Sequence, residues 1–76
     1  MNQQPAATAS ADPEAMWRRA NELAGRGELL DAIPLYLELS DLWPERAMVW
    51  LNLGVVLGAL HRDEEALQCL QRALDM

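Results

Sequence analysis

The chain of 76 residues predicts an all-α fold built from a repeated helix pair, and three observations predict it. The sequence matches itself at an offset of 34 residues: Met16, Ala20, Leu23, Ala32, Tyr36 and Leu39 shift onto Trp50, Gly54, Leu57, Ala66, Leu70 and Ala73. In the first five pairs large stands over large and small over small, and Asp31-Ala32-Ile33 falls over Glu65-Ala66-Leu67. Apolar residues recur at helical spacing, and no segment alternates as a strand would; Val49, Val55 and Val56 sit inside a helical pattern. Turn-forming residues punctuate the pattern at Gly27, Pro44 and His61. A fixed period of this length signals a two-helix repeat that stacks on copies of itself and displays a groove. Such a protein holds other proteins rather than performing chemistry.

Four helices follow in order. The first is predicted from Pro13 to Ala24, with Asp12 as N-cap and Pro13 at the first helical position, where a missing N–H is harmless. Gly27 supplies the turn, because glycine enters left-handed backbone conformations at little cost. The second helix is predicted from Leu30 to Leu42, with Pro34 near its first turn, and Pro44 ends it by denying Trp43 a helical conformation. The third is predicted from Glu45 to Leu60, with His61 at the position that Gly27 holds in the first copy. The fourth runs from Asp63 to the end, its Asp63-Glu64-Glu65 start suiting the positive end of the helix dipole. Within each pair, small residues at Ala20 with Ala32 and at Gly54 with Ala66 let the two helices approach.

The second copy, Trp50-x-x-Leu53-Gly54-x-x-Leu57 followed by Ala66-x-x-x-Leu70 and Ala73, resembles the tetratricopeptide repeat (TPR). The first copy matches the family in its second half, through Gly27, Ala32-x-x-x-Tyr36 and Pro44; its first half is degenerate, with Met16, Arg19 and Ala20 at the pattern positions. The resemblance runs from about Pro13 to Met76. It implies a four-helix TPR-like α-solenoid of two antiparallel helix pairs, with residues 12–46 as the first repeat and 47–76 as the second.

In that family the first helices of successive repeats line a concave groove. The resemblance therefore implies groove positions at Glu14, Trp17, Arg18 and Asn21 in copy one and at Met48, Leu51, Asn52 and Val55 in copy two. Trp17 with Met48, Leu51 and Val55 would form an apolar patch; the bland alternative is helix packing for Trp17 and burial against a neighbouring helix for the other three. Asn21 and Asn52 each carry donors and an acceptor for a peptide backbone. They also fall where a carboxylate-clamping subset of the family has two asparagines. Trp17 stands in place of that subset's first clamp lysine, however, and the charge-assisted donors such capture needs are missing.

Composition bounds the rest. Residues 1–11 are Asn, Gln, Pro, Ala, Thr and Ser with one methionine, too polar to bury surface, and are expected to be a disordered tail without the features of a secretory signal. The remaining residues make one small domain. Twelve acidic residues against six basic give a net charge of −6 without a basic stripe, which argues against nucleic acid and favours a basic or apolar partner. No apolar run approaches a membrane span. One cysteine permits no internal disulfide and no cysteine cluster for a metal, which suits a reducing, cytoplasmic setting. His61 and Cys69, the sole histidine and cysteine, build no catalytic pair and read as an exposed turn residue and a small core residue. Neither an enzyme activity nor a cofactor is expected.

The 34-residue register would place a third copy just after Met76, and Leu67 and Leu74 point toward where that copy would stack. The chain is thus read as a protein or peptide recognition module, a scaffold and the N-terminal part of a larger protein. The alternatives are a self-association module, forming a homo-oligomer through Leu67 and Leu74, and a non-catalytic arm of a larger enzyme or synthase.

Overall fold

A computed structural model describes residues 12–76; the expectation of a disordered tail over 1–11 lies outside them. The described chain forms four helices, α1 (Pro13–Gly25), α2 (Leu29–Leu42), α3 (Ala47–Ala59) and α4 (Asp63–Leu74), and contains no strand among the described residues. The fold is all-α, as the periodicity predicts. Helix α1 packs on α2, α3 on α4, and α2 on α3, so each helix packs on the next.

Local chemistry sets the helix ends. The Asp12 carboxylate caps α1 by accepting from the backbone N–H groups of Glu14 and Ala15, at 3.1 and 3.4 Å. Helices α1 and α3 end identically, 34 residues apart. At the first end the Gly27 N–H donates to the Ala24 carbonyl at 3.0 Å and the Glu28 N–H to the Leu23 carbonyl at 2.9 Å. At the second, the His61 N–H donates to Gly58 at 3.0 Å and the Arg62 N–H to Leu57 at 2.9 Å. Both pairs are the crossed bonds of a Schellman turn, which needs a left-handed residue at its tip. Gly27 has φ 80° and His61 φ 62°, and His61 is exposed as its turn position requires. The two turns return the chain on itself and bring the partners of each pair together.

Two helix starts differ from the sequence-based expectation, and the ends of α1, α3 and α4 fall within two residues of it. Helix α2 begins at Leu29, so Pro34 is its sixth residue and lies inside it rather than in the first turn. The ring removes the bond that an N–H would give to the Leu30 carbonyl; both residues lie on the exposed side of the helix. Helix α3 begins at Ala47 rather than Glu45. Pro44 holds Trp43 out of the helical region, at φ −126° and ψ 64°, and the Arg46 N–H then donates to the Trp43 carbonyl at 3.1 Å, closing a turn before the helix can start.

The core is one cluster: Met16, Ala20 and Leu23 from α1, Ala32, Tyr36 and Leu39 from α2, Val49, Leu53, Val56 and Leu57 from α3, Ala66 and Cys69 from α4. Cys69 is buried as a small hydrophobe, and that burial, with the Glu65 carboxylate nearby, pushes its thiol pKa up. At Gly54, helix α3 lies close against α4. A Cβ at this position would lie 2.9 Å from two carbons of Leu70 and 3.2 Å from the Ala66 carbonyl oxygen. A side chain at this position would force Leu70 to move and press on the Ala66 carbonyl, so glycine suits the α3–α4 contact.

Candidate functional site

Helix α3 carries the site's signal. Its thirteen residues, AMVWLNLGVVLGA, include no charged side chain. A helix apolar all round is ordinarily buried all round. One side of α3 is not: Met48 and Leu51 are exposed, and Val55 is 60% exposed. Together with Asn52 they recur at helical spacing and form one row.

Opposite that row, Asn21 of α1 meets Asn52. The Tyr36 hydroxyl donates to Asn21 Oδ1 at 2.6 Å, and Asn52 Nδ2 donates to the same oxygen at 3.1 Å. The three groups tie α1, α2 and α3 together. Burial pushes the Tyr36 hydroxyl pKa above its ordinary value, while the neighbouring Asn52 amide works the other way. Because Asn21 spends its oxygen on two donors and Asn52 spends its nitrogen, Asn21 Nδ2 and Asn52 Oδ1 have no hydrogen-bond partner among the described residues. A shallow, open recess surrounds them, lined by Ala24, Gly25 and Tyr36 on one side and Val55 and Val56 on the other.

The expected groove residues separate into two groups. Asn21, Asn52 and Val55 share the recess, and Met48 and Leu51 extend the α3 row from it. Trp17 is half-buried, standing edge-on to Tyr36 with ring centroids 6.1 Å apart and to Trp43 at 6.4 Å. Part of its ring is thus committed to packing, and the rest borders the surface. Arg18 and Glu14 are exposed on α1.

Tyr36 was legible only as a packing residue of the repeat. Its signal was the hydroxyl, which needs a partner when a tyrosine is buried. A second unforeseen cluster lies at the α2–α3 connection, where the Arg46 guanidinium stacks 3.7 Å over the Trp43 ring. Beside it Trp50 Nε1 donates to the Pro44 carbonyl at 3.0 Å, and Arg72 lies 4.9 Å over the Trp50 ring. These contacts anchor the connection.

Among the described residues no group of three or more His, Cys, Asp and Glu could hold a metal ion, and no helix is long and apolar enough to cross a membrane. On the last helix, α4, Leu67 is 64% and Leu74 80% exposed. Their counterparts at the 34-residue offset, Ile33 and Ser40, are sheltered on α2, the helix against which α3 packs. No known protein family, curated protein or solved structure matches the chain.

Proposed function

We propose that the chain is a TPR-like protein-recognition module that takes a partner peptide or helix along the α1–α3 surface. The observation that carries this reading is the exposed apolar row Met48, Leu51 and Val55 on a helix without charge, running beside the Asn21–Asn52 pair. A free amide N–H on Asn21 and a free amide oxygen on Asn52 can pair with the C=O and N–H of one extended residue of a peptide. The apolar row, with Trp17 beside it, would take the partner's side chains, and Arg18 would stand at the rim. In this reading the module acts as a non-catalytic scaffold in a cytoplasmic setting, with a protein as its partner.

The test starts from peptides selected on the folded chain from a displayed library, with affinities then measured for substituted proteins. Leu51→Ala and Trp17→Ala should each weaken binding by more than about 1 kcal/mol, as central apolar anchors do, and Glu14→Ala should do little. Selected peptides that bind Trp17→Ala and Leu51→Ala like the unsubstituted chain would remove the groove as the working surface.

A second reading is favoured by Leu67 and Leu74, exposed where the first copy's counterparts are sheltered. Here the end face of α4 pairs with another helix, in the simplest case that of a second copy. Sedimentation across a concentration series should then show association that Leu67→Glu with Leu74→Glu abolishes. A monomer at every concentration, indifferent to both changes, would dismiss it.

A further inference from the structure

The outer side of α2 is apolar where the outer side of α4 is polar. Leu30, Pro34 and Leu37 fall at i, i+4 and i+7, on the side of the helix away from Ala32, Tyr36 and Leu39. Leu30 is 69% and Leu37 51% exposed, and Pro34 is exposed between them. At the 34-residue offset the same positions on α4 are Glu64, Gln68 and Gln71, all exposed. The helix pair therefore does not need apolar residues on this side. The chain's own second copy holds the same place with polar ones, and the apolar row belongs to copy one alone.

The charges beside the row on α2 have one sign. Asp41 continues it, and Asp31 and Glu38 run along one flank; the other flank is Ile33, which packs against the core. Helix α2 contains no lysine or arginine, and among the described residues none of these three carboxylates is in an ion pair. At the row's N-terminal end, Leu30 and Asp31 border a shallow recess with Gly27, Glu28 and Leu60.

From this juxtaposition we infer that the outer side of α2 docks a basic amphipathic helix of a partner protein. The partner's apolar residues would pack on Leu30, Pro34 and Leu37, and its lysines or arginines would meet Asp31, Glu38 and Asp41. Charge selects this occupant over the others. A second copy related by a two-fold axis would set the same three carboxylates against themselves, a juxtaposition that disfavours pairing. A lipid headgroup surface carries the same negative sign. This row lies on a different side of α2 from Tyr36 and the Asn21–Asn52 recess, so the two surfaces can be occupied together and the module can bridge two partners.

The probe is a synthetic amphipathic helix with leucines at i, i+4 and i+7 flanked by lysines, with a glutamate-flanked twin as control. Each is titrated into the isotope-labelled 76-residue chain and followed by amide chemical shifts. The lysine peptide should shift amides along Leu29–Leu42, and the glutamate twin should leave them in place. Giving α2 the residues α4 carries, through Leu30→Glu, Pro34→Gln and Leu37→Gln, should weaken the lysine peptide at least about tenfold. Asp31→Asn with Glu38→Gln, at exposed positions that spare the packing, should weaken it and flatten its salt dependence. Equal binding of both peptides, a footprint on 48–55 or 67–74 instead, or no shift at all would overturn the proposal. Concentration-dependent shifts of α2 amides without peptide would also overturn it, by assigning the row to a second copy.

Discussion

Replacing His61 by glycine should stabilise the chain, and replacing Gly27 by alanine should destabilise it. The two positions are the tips of matching turns, with φ 62° and 80° and the same pair of crossed backbone bonds. A residue with a Cβ costs about 1–2 kcal/mol in the left-handed region relative to glycine. Glycine loosens the unfolded chain, which takes back about 0.4–1 kcal/mol. The net expectation for His61→Gly is a gain of about 0.5–1 kcal/mol, and for Gly27→Ala a loss of similar size. In a domain of this size each kcal/mol moves Tm by about 4–8 °C, so the two variants should bracket the parent by a few degrees on either side. A Cβ at Gly27 would meet nothing within 4 Å, so backbone conformation alone carries that cost. The His61 side chain is exposed and makes no hydrogen bond among the described residues, so its removal costs no contact. Thermal unfolding followed by circular dichroism reads both signs. A lower Tm for His61→Gly, or shifts of the same sign for both variants, would refute the reasoning.

Two further outcomes follow from packing and titration. Ala66→Leu should overpack the α3–α4 contact, where the Ala66 carbonyl already limits the space over Gly54, and should cost about 1–3 kcal/mol; an unchanged denaturant midpoint would show that the pair is packed elsewhere. Tyr36 holds its proton more tightly folded than unfolded, so its contribution to stability is complete below its ordinary pKa of about 10 and is lost as pH rises through the higher folded value. Tyr36→Phe should lose about 0.5–1.5 kcal/mol near neutrality with the bond to Asn21, and its alkaline decline above about pH 10 should be shallower than the parent's. Parallel declines would mean that Tyr36 is not the titrating group.

Much of the architecture was legible in the sequence because local signals and long-range packing agree. Asp12 and Pro13 mark a helix start by their own chemistry, and Gly27 and His61 mark equivalent ends through one period of 34 residues. The legible part stopped where two local rules competed. Pro34 reads as a first-turn residue by preference, yet α2 starts one residue earlier and carries the ring on its exposed side. Trp43-Pro44 announced a break but not its length, because the Arg46–Trp43 stacking and the Trp50–Pro44 bond that hold the connection are contacts between side chains and a loop. At the site, the resemblance to a repeat family implied that Asn21, Asn52 and Val55 border one groove, and the three do share a recess. It could not reveal that Tyr36 orients the Asn21 amide, since a buried ring and a buried hydroxyl look alike in a packing pattern. Nor could it divide the Trp17 ring between core and surface, which depends on Trp43 reaching back to it.

The most direct measurement of the central claim is the structure of the chain with a selected peptide bound, solved from intermolecular NOEs or from a crystal. The peptide should lie along Met48, Leu51 and Val55, with the C=O and N–H of one of its extended residues bonded to Asn21 Nδ2 and Asn52 Oδ1. A peptide seated on Leu67 and Leu74, with the Asn21–Asn52 pair untouched, would contradict it.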